Sequence, residues 1–487
     1  MWTPVILTAA LVLGQPGAVL PDLAPVPAPP LTAAVQAPLK LNLPAEPAIP
    51  AEAEPFFNVA APEPAPPADA PAPINITAPL LPTPPAAPVP PLAAAPAAAP
   101  PAFPPYLFMR AVQGTWEGNE MLGNRLNLYG WTEASYTANR THATTPMLAQ
   151  SPGSAFEMNQ NWLVFERTVV TSGTTEPTYG FHTAFILPGA DARFTPSRGL
   201  LDHQHGFLNF TTYNYPVDIF HAYAEAFFPT IGQGLDVKVG KNAVPYFAET
   251  EDKVYNPLFS HTYIFYYGGP FTHTGIQTNL KINNEWSVEN RLTMGEDIVQ
   301  LYGAQPTYVG ALAWTQPGGR NTALFSVVID SGRFDYRHPY STGAITAPGQ
   351  NNVNLVDLVF VHNFNPVLKY TLDANFGYET NLSGVLASGA NNAIWYGAAH
   401  YLSYTLSSRL TANARLEMFD DEEGLRTGFK GLYTDVTAGV TWKPRADVWI
   451  RPEVRYDYNG DSRPFNTNHD NPHHDQLSAA CDLILRW

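Results

Sequence analysis

The sequence predicts an all-β fold, a transmembrane antiparallel β-barrel of about 16 strands, preceded by a signal peptide and a disordered Pro/Ala-rich segment. Three observations carry this. From residue 126 onward, apolar and polar residues alternate in segments of about nine to fourteen residues, the length a tilted membrane strand needs. The connections between those segments alternate short and long without a break. No stretch reaches the roughly 18 to 20 apolar residues of a membrane-crossing helix, so a chain like this that lives in a membrane must close into a barrel.

The first element is an export signal at 1–18. Val5 to Leu13 form an apolar run of about nine residues followed by Gly14, Pro16, Gly17 and Ala18, the pattern of a secretory apolar region with a small-residue cleavage site. No Lys or Arg precedes it, so only the Met1 amino group supplies positive charge. Residues 19–105 follow as a linker. Most of the 49 prolines fall there, among Ala, Val and Leu; with almost no aromatic surface to offset ordering entropy, a polyproline-II-like periplasmic segment is expected. Residues 106–487 switch to Tyr, Phe, Trp, Thr, Asn, Gly and Val, with no second proline-rich boundary, and make one barrel unit. Within it, Tyr106 to Gly123 are expected to place a short helix at or inside the barrel mouth.

The alternation sets strands at 126–138, 158–171, 178–188, 217–228, 235–243, 271–282, 286–297, 307–315, 322–332, 353–364, 368–380, 393–406, 410–420, 432–443, 448–458 and 476–487. It is cleanest where Leu410, Ala412, Ala414, Leu416 and Met418 face one way and Thr411, Asn413, Arg415 and Glu417 the other. Several charges on one face and bulky apolar residues on the opposite face are the lipid-out, polar-in arrangement. Short turns at 172–177, 229–234, 283–285, 316–321, 365–367, 407–409 and 444–447 alternate with long loops, notably 139–157, 189–216, 244–270, 333–352 and 459–475. In outer-membrane barrels the short side is periplasmic, so an even strand count leaves both ends of the barrel, and the linker, in the periplasm.

Tyr136, Trp162, Tyr223, Trp286, Trp314, Tyr378, Trp442 and Tyr456 lie near strand ends, as aromatic girdles do. Leu483, Leu485 and Trp487 form an alternating apolar strand with an aromatic end, resembling the carboxy-terminal signal read by the outer-membrane assembly machinery. The one cysteine, Cys481, excludes an internal disulfide framework and leaves no lipid-anchored Cys after the signal. A formal charge of -16 argues against nucleic acid as a partner, which would call for a basic patch. Outer-membrane lipid, the assembly machinery and peptidoglycan reached through the linker are the expected partners; a monomer and a homo-trimer are both open.

At 256–275 stands Asn256-Pro257-Leu258-Phe259-Ser260-His261-Thr262-Tyr263-Ile264-Phe265, then Pro270-Phe271-Thr272-His273-Thr274-Gly275. With Tyr129 to Tyr136 and Gly234 to Lys241, this resembles the OmpL-like β-barrel porins over 120–487. The resemblance implies a barrel and a pore in the outer membrane. Where a basic residue, commonly Arg, would follow Asn-Pro-x-x-Ser, this chain has His261, so a fixed positive charge at the constriction is not implied.

In general porins the third long loop often folds inward. Here that is 244–270, whose Tyr246, Glu249, Glu251, Asp252, Lys253, His261 and Tyr263 would set selectivity; a solvated external loop is the other reading. Lumen-facing charges by alternation are Glu133, Lys281, Glu289, Arg291, Asp373, Glu379, Arg415, Glu417, Asp435, Arg451, Glu453, Arg455 and Asp457. Facing strands would pair them in a wet pore, and the slight acidic excess suggests weak cation preference.

His469, Asp470, His473, His474 and Asp475, and separately Asp202, His203 and His205, lack defined ligand spacing and read as solvated loop residues, so no metal and no cofactor is expected. No Gly-x-Ser-x-Gly, P-loop or His-Glu-x-x-His occurs, which argues against an enzyme. Passive diffusion of small hydrophilic solutes or ions is the expected function; a structural anchor with a plugged barrel and a wall-binding leader is the alternative.

Overall fold

The computed structural model describes residues 106–139, 154–187, 189–191, 218–297, 299, 306–330, 352–380, 382, 389–465 and 472–487. The expected signal peptide and linker, Asp202, His203 and His205, and His469 and Asp470 lie outside them. Sixteen strands are present: β1 Leu126–Asn139, β2 Ala155–Arg167, β3 Thr178–Ile186, β4 Asp218–Phe228, β5 Leu235–Ala243, β6 Thr272–Lys281, β7 Trp286–Glu296, β8 Thr307–Thr315, β9 Asn321–Asp330, β10 Asn354–Asn365, β11 Leu368–Glu379, β12 Ala393–Ser407, β13 Leu410–Asp421, β14 Gly431–Arg445, β15 Val448–Asn459 and β16 Asp475–Arg486. Each pairs antiparallel with its sequence neighbour, and β1 pairs with β16 from Trp131 opposite Arg486 to Asn139 opposite Ser478, so the sheet has no free edge.

The outer face is a belt of exposed Leu402, Leu416, Val436, Val454, Leu477 and Leu483, with Tyr136, Trp286, Tyr378, Trp442 and Tyr456 among its aromatic residues. Trp162 and Tyr223 are corrections to the girdle. Trp162 is fully buried and stacks on Trp131 inside the lumen at 5.0 Å, because a register shift beside Glu133 puts one extra residue, Asn159, into β2 and exchanges its faces. Tyr223 turns inward to stack on His182 at 5.4 Å.

At the seam Trp487 N–H donates to Gly130 O and Gly130 N–H to Trp487 O, both at 2.9 Å. The indole lies over Gly130, where a Cβ would stand 2.6 Å from the ring. Replacing Trp487 by Ala is therefore expected to lower outer-membrane yield while leaving unchanged the conductance of barrels that do assemble; equal yields of variant and parent would refute this.

Ahead of β1 stand two helices, α1 Leu107–Ala111 and α2 Trp116–Gly123, the second capped by Thr115, whose hydroxyl accepts from Gly118 N–H at 3.1 Å. Tyr106 stacks on the inward ring of Tyr129 at 3.9 Å, and Met109 is fully buried, so α1 sits within the short-turn mouth.

Candidate functional site: the lumen and the loop within it

Residues 244–270, which connect β5 to β6, turn into the lumen instead of outward. The segment carries a 3-10 turn, Lys253–Tyr255, and one helix, α3 Tyr263–Tyr267, capped by the Thr262 hydroxyl, which accepts from Phe265 N–H at 3.0 Å. Every side chain of α3 is buried. Phe247, Phe265, Tyr266 and Phe271 pack with Trp395 and Leu355 into a core that occupies the space a pore would otherwise leave. Gly268 and Gly269 let the backbone press against the wall. A Cβ on Gly269 would lie 2.7 Å from Leu355, and Gly268 O accepts from Trp395 Nε1 at 3.0 Å.

Wall carboxylates grip this loop by its main chain. Glu417 accepts from the N–H groups of Tyr263 at 2.9 Å and Ile264 at 2.8 Å. Glu453 accepts from Phe259 at 2.8 Å and Ser260 at 3.1 Å, Asp357 from Phe247 at 3.1 Å, and Asp373 from Ala248 at 2.7 Å. Hydrogen bonds of this kind to a charged acceptor contribute about 1.5–3 kcal/mol each, and a buried carboxylate deprived of them is strongly penalised.

Guanidinium groups hold the loop carbonyls. Arg415 reaches Ser260 O at 2.6 Å while pairing with Asp435 at 2.7 Å and Glu249 at 3.1 Å. Arg455 donates to His261 O at 2.5 Å and pairs with Asp457 at 2.7 Å. Arg451 donates to Lys253 O at 2.9 Å and Asn256 O at 2.8 Å, and pairs with Asp482 at 2.5 Å and Glu133 at 3.3 Å. Arg426, from the β13–β14 connection, donates to Tyr267 O at 2.7 Å and pairs with Glu379 at 2.9 Å. A planar fork suits such multiple recognition in a way a lysine ammonium does not.

The structure thus gathers Glu249, Glu251, Asp252, Lys253 and His261 in the inserted loop and faces them with Arg415, Glu417, Arg451, Glu453 and Arg455. These charges are dry: Arg415, Glu417 and Arg455 are buried against the loop, where a wet pore was expected. A different arc of wall is partly open to water, its paired side chains 13–22% exposed apart from the buried Arg291. There His182 meets Glu166 at 2.9 Å, Lys238 meets Glu225 at 3.5 Å and Asp236 at 3.6 Å, and Arg291 meets Glu289 at 2.6 Å. Lys281 is exposed at the short-turn end of β6.

Asp357, Gln160 and Arg426, which alternation did not single out, complete the grip. Gln160 Nε2 donates to Glu251 O at 2.7 Å and Asp191 at 3.1 Å. Alternation gives the facing of Asp357 alone, since Gln160 follows the β2 bulge and Arg426 lies in a connection, and it does not give the loop that all three meet more than 90 residues away in sequence.

Within the loop, burial pushes the His261 imidazole down to about 4, against the hydrogen bond at 2.8 Å from Nδ1 to Glu249, so it is neutral at pH 7. Glu249 is held at about 2: burial alone would raise it, and His261, Arg415 and the Thr262 N–H outweigh that. Burial moves Asp252 up to about 7. Because the folded His261 value lies below its ordinary one, its contribution to seating the loop is complete above about pH 6.5 and is lost as pH falls toward 4, by up to about 3 kcal/mol. Glu249 retains its charge until near pH 2. Conductance recorded from pH 7 to pH 4 is expected to rise as the loop loosens, and His261→Gln should flatten that slope; a parent trace independent of pH would contradict this.

Beneath the loop, on the short-turn side, is a cavity of about 360 Å³ roofed by Val254 to Pro257. Pro257 O is fixed there by Thr441 Oγ1 at 2.8 Å and Asn413 Nδ2 at 3.0 Å.

A family model described as beta-barrel porin-2, OmpL-like, matches residues 125–487. Among solved structures, OmpF of Salmonella typhi in complex with daunomycin is similar at 12% identity and a TM-score of 0.50, covering 75% of this chain and 98% of that one. An anion-selective porin from Comamonas acidovorans gives 9% and 0.49, covering 74% and 99%. The outer membrane channel DcaP of Acinetobacter baumannii gives 11% and 0.49, covering 74% and 97%. At such identities the likeness to OmpF is one of fold. Comparison with curated protein sequences gives no match.

Proposed function

The chain belongs to the OmpL-like β-barrel porin family of the bacterial outer membrane, and from that premise we propose that it is a narrow passive channel for small hydrophilic solutes or ions, with the inserted loop 244–270 as its constriction. The observation that carries this reading is the division of the lumen. Loop and wall lock together along β10 to β16, β1 and β2, whereas the arc with His182, Glu225, Asp236, Lys238 and Glu289 keeps charged side chains partly in contact with water. Rings of charge beside a constriction filter what passes.

The experiment is single-channel recording in a planar bilayer. Small, steady conductance steps that saturate with salt are expected. A barrel that inserts and gives no steps would favour the other reading, a structural anchor whose lumen is closed by its own loop.

Residues 1–18 as export signal and 19–105 as a periplasmic linker reaching peptidoglycan complete the proposal. An extended linker of this length spans of the order of 200 Å at about 3.1 Å per residue. Deleting residues 25–100 is expected to leave conductance unchanged and to loosen attachment to peptidoglycan in sedimentation assays. A large rise in conductance would show that this segment occludes the pore.

A further inference from the structure

We propose that the cavity beneath the inserted loop is a solute-binding vestibule selective for small polyhydroxylated molecules carrying one carboxylate. The proposal rests on the channel reading for its physiological meaning and on the cavity itself for its chemistry.

The cavity is built by register. Asn363 on β10 pairs with Lys369 on β11, Lys369 with Ser403 on β12, and Ser403 with Asn413 on β13, which sets four polar side chains in one inward row across adjacent strands. Strands lie about 4.8 Å apart, so the row is about 14 Å long. A second row one step nearer the mouth pairs Thr405 with Thr411 and Thr411 with Thr441. Amide and hydroxyl groups in such rows both donate and accept, which is what a polyol requires. Tyr255, 68% exposed in the roof, supplies an aromatic ring against which the apolar side of a sugar can pack. About 360 Å³ falls within the range of small-molecule sites.

The charge is the selective feature. The chain as a whole is strongly acidic, with a formal charge of -16, yet the charged side chains lining the cavity are Lys369 and Lys443, and no described acidic side chain is among them. Neither lysine makes an ion pair with a described residue. Trp449 holds Lys443 in place: the ammonium lies 3.7 Å from the ring centroid, with the Arg486 guanidinium also over that indole at 5.5 Å. The ring is thereby occupied and serves to position the lysine. Two unpaired cations beside a row of neutral polar groups attract a carboxylate and repel an ammonium, so the sign at this site is opposite to the weak cation preference that the lumen-facing charges of the strands suggest.

The test is saturation-transfer NMR on the whole chain in detergent micelles at low salt, with glucuronate, glucose, glucosamine and sulfate as probes. Glucuronate is expected to bind at least about tenfold more tightly than glucose, a difference of about 1.4 kcal/mol, and glucosamine not detectably. K369Q/K443Q should remove that preference, while R445Q, on an exposed arginine outside the cavity, keeps it. Tyr255→Ala should weaken glucuronate and glucose alike. Glucosamine binding as well as glucuronate, or K369Q/K443Q retaining the preference, overturns the site; sulfate competing at equal concentration overturns its polyol part. Heat-modifiable migration confirms that each variant is folded. Binding without conductance refutes the channel reading alone, and conductance without binding refutes the vestibule alone.

Discussion

Replacing Arg415 by Ala is expected to raise single-channel conductance several-fold and to cost about 3–5 kcal/mol of loop docking. The side chain is fully buried and joins three partners that nothing else brings together: Asp435 on the neighbouring strand, Glu249 in the loop and the loop carbonyl of Ser260. Removal leaves two carboxylates facing each other in a dry site, and the least costly relief is for the loop, with Glu249, to leave the wall and admit water. The barrel keeps its own ladder of hydrogen bonds, so the expected result is an open barrel and not an unfolded one. Arg415→Lys should fall between, because one ammonium cannot span the three acceptors. Recordings of parent, Lys and Ala variants in one bilayer, with loop exposure followed by proteolysis between residues 244 and 270, test this. Unchanged conductance with unchanged protection would show that the loop is held without Arg415.

A Leu at position 130 is expected to abolish most barrel closure. A Cβ there would meet the Trp162 carbonyl at 2.0 Å and the Trp487 ring at 2.6 Å, and the same residue exchanges both main-chain hydrogen bonds with Trp487. Since β1 and β16 have no other partner on that side, a clash in the seam exposes two strand edges at once. The folded, heat-modifiable fraction after refolding should drop steeply for Gly130→Leu and less for Gly130→Ala. A parent-like fraction for both would mean that the seam can adjust around the added carbon.

The strands were legible in the sequence because lipid on one face and a polar interior on the other impose a period of two for the whole crossing. Leu410 to Asp421 and Val448 to Asn459 display that period directly, and their bounds fall within a few residues of the alternation. Where the period breaks, reading failed. The extra residue Asn159 moved Trp162 from the girdle to the core, and nothing in the neighbouring sequence announces a bulge. The site was legible in its parts and not in its assembly. Alternation placed Arg415, Glu417, Arg451, Glu453 and Arg455 on the inner face, but that they hold the main chain of 253–264 depends on a fold-back that periodicity does not encode.

The grip on the inserted loop also orders events in time. Phe259 and Glu453 are separated by 194 residues, Tyr263 and Glu417 by 154, and Phe247 and Asp357 by 110. Every strand pairing except the seam, by contrast, joins sequence neighbours. Hairpin pairing therefore needs only sequence neighbours, while the apolar stretch with Tyr263, Ile264 and Phe265 needs receptors far along the chain, and contacts of high sequence separation are the slower ones to form. Drying of the interior is thus expected to be a late step of maturation, since it requires β13 to β15 to be in place around the loop.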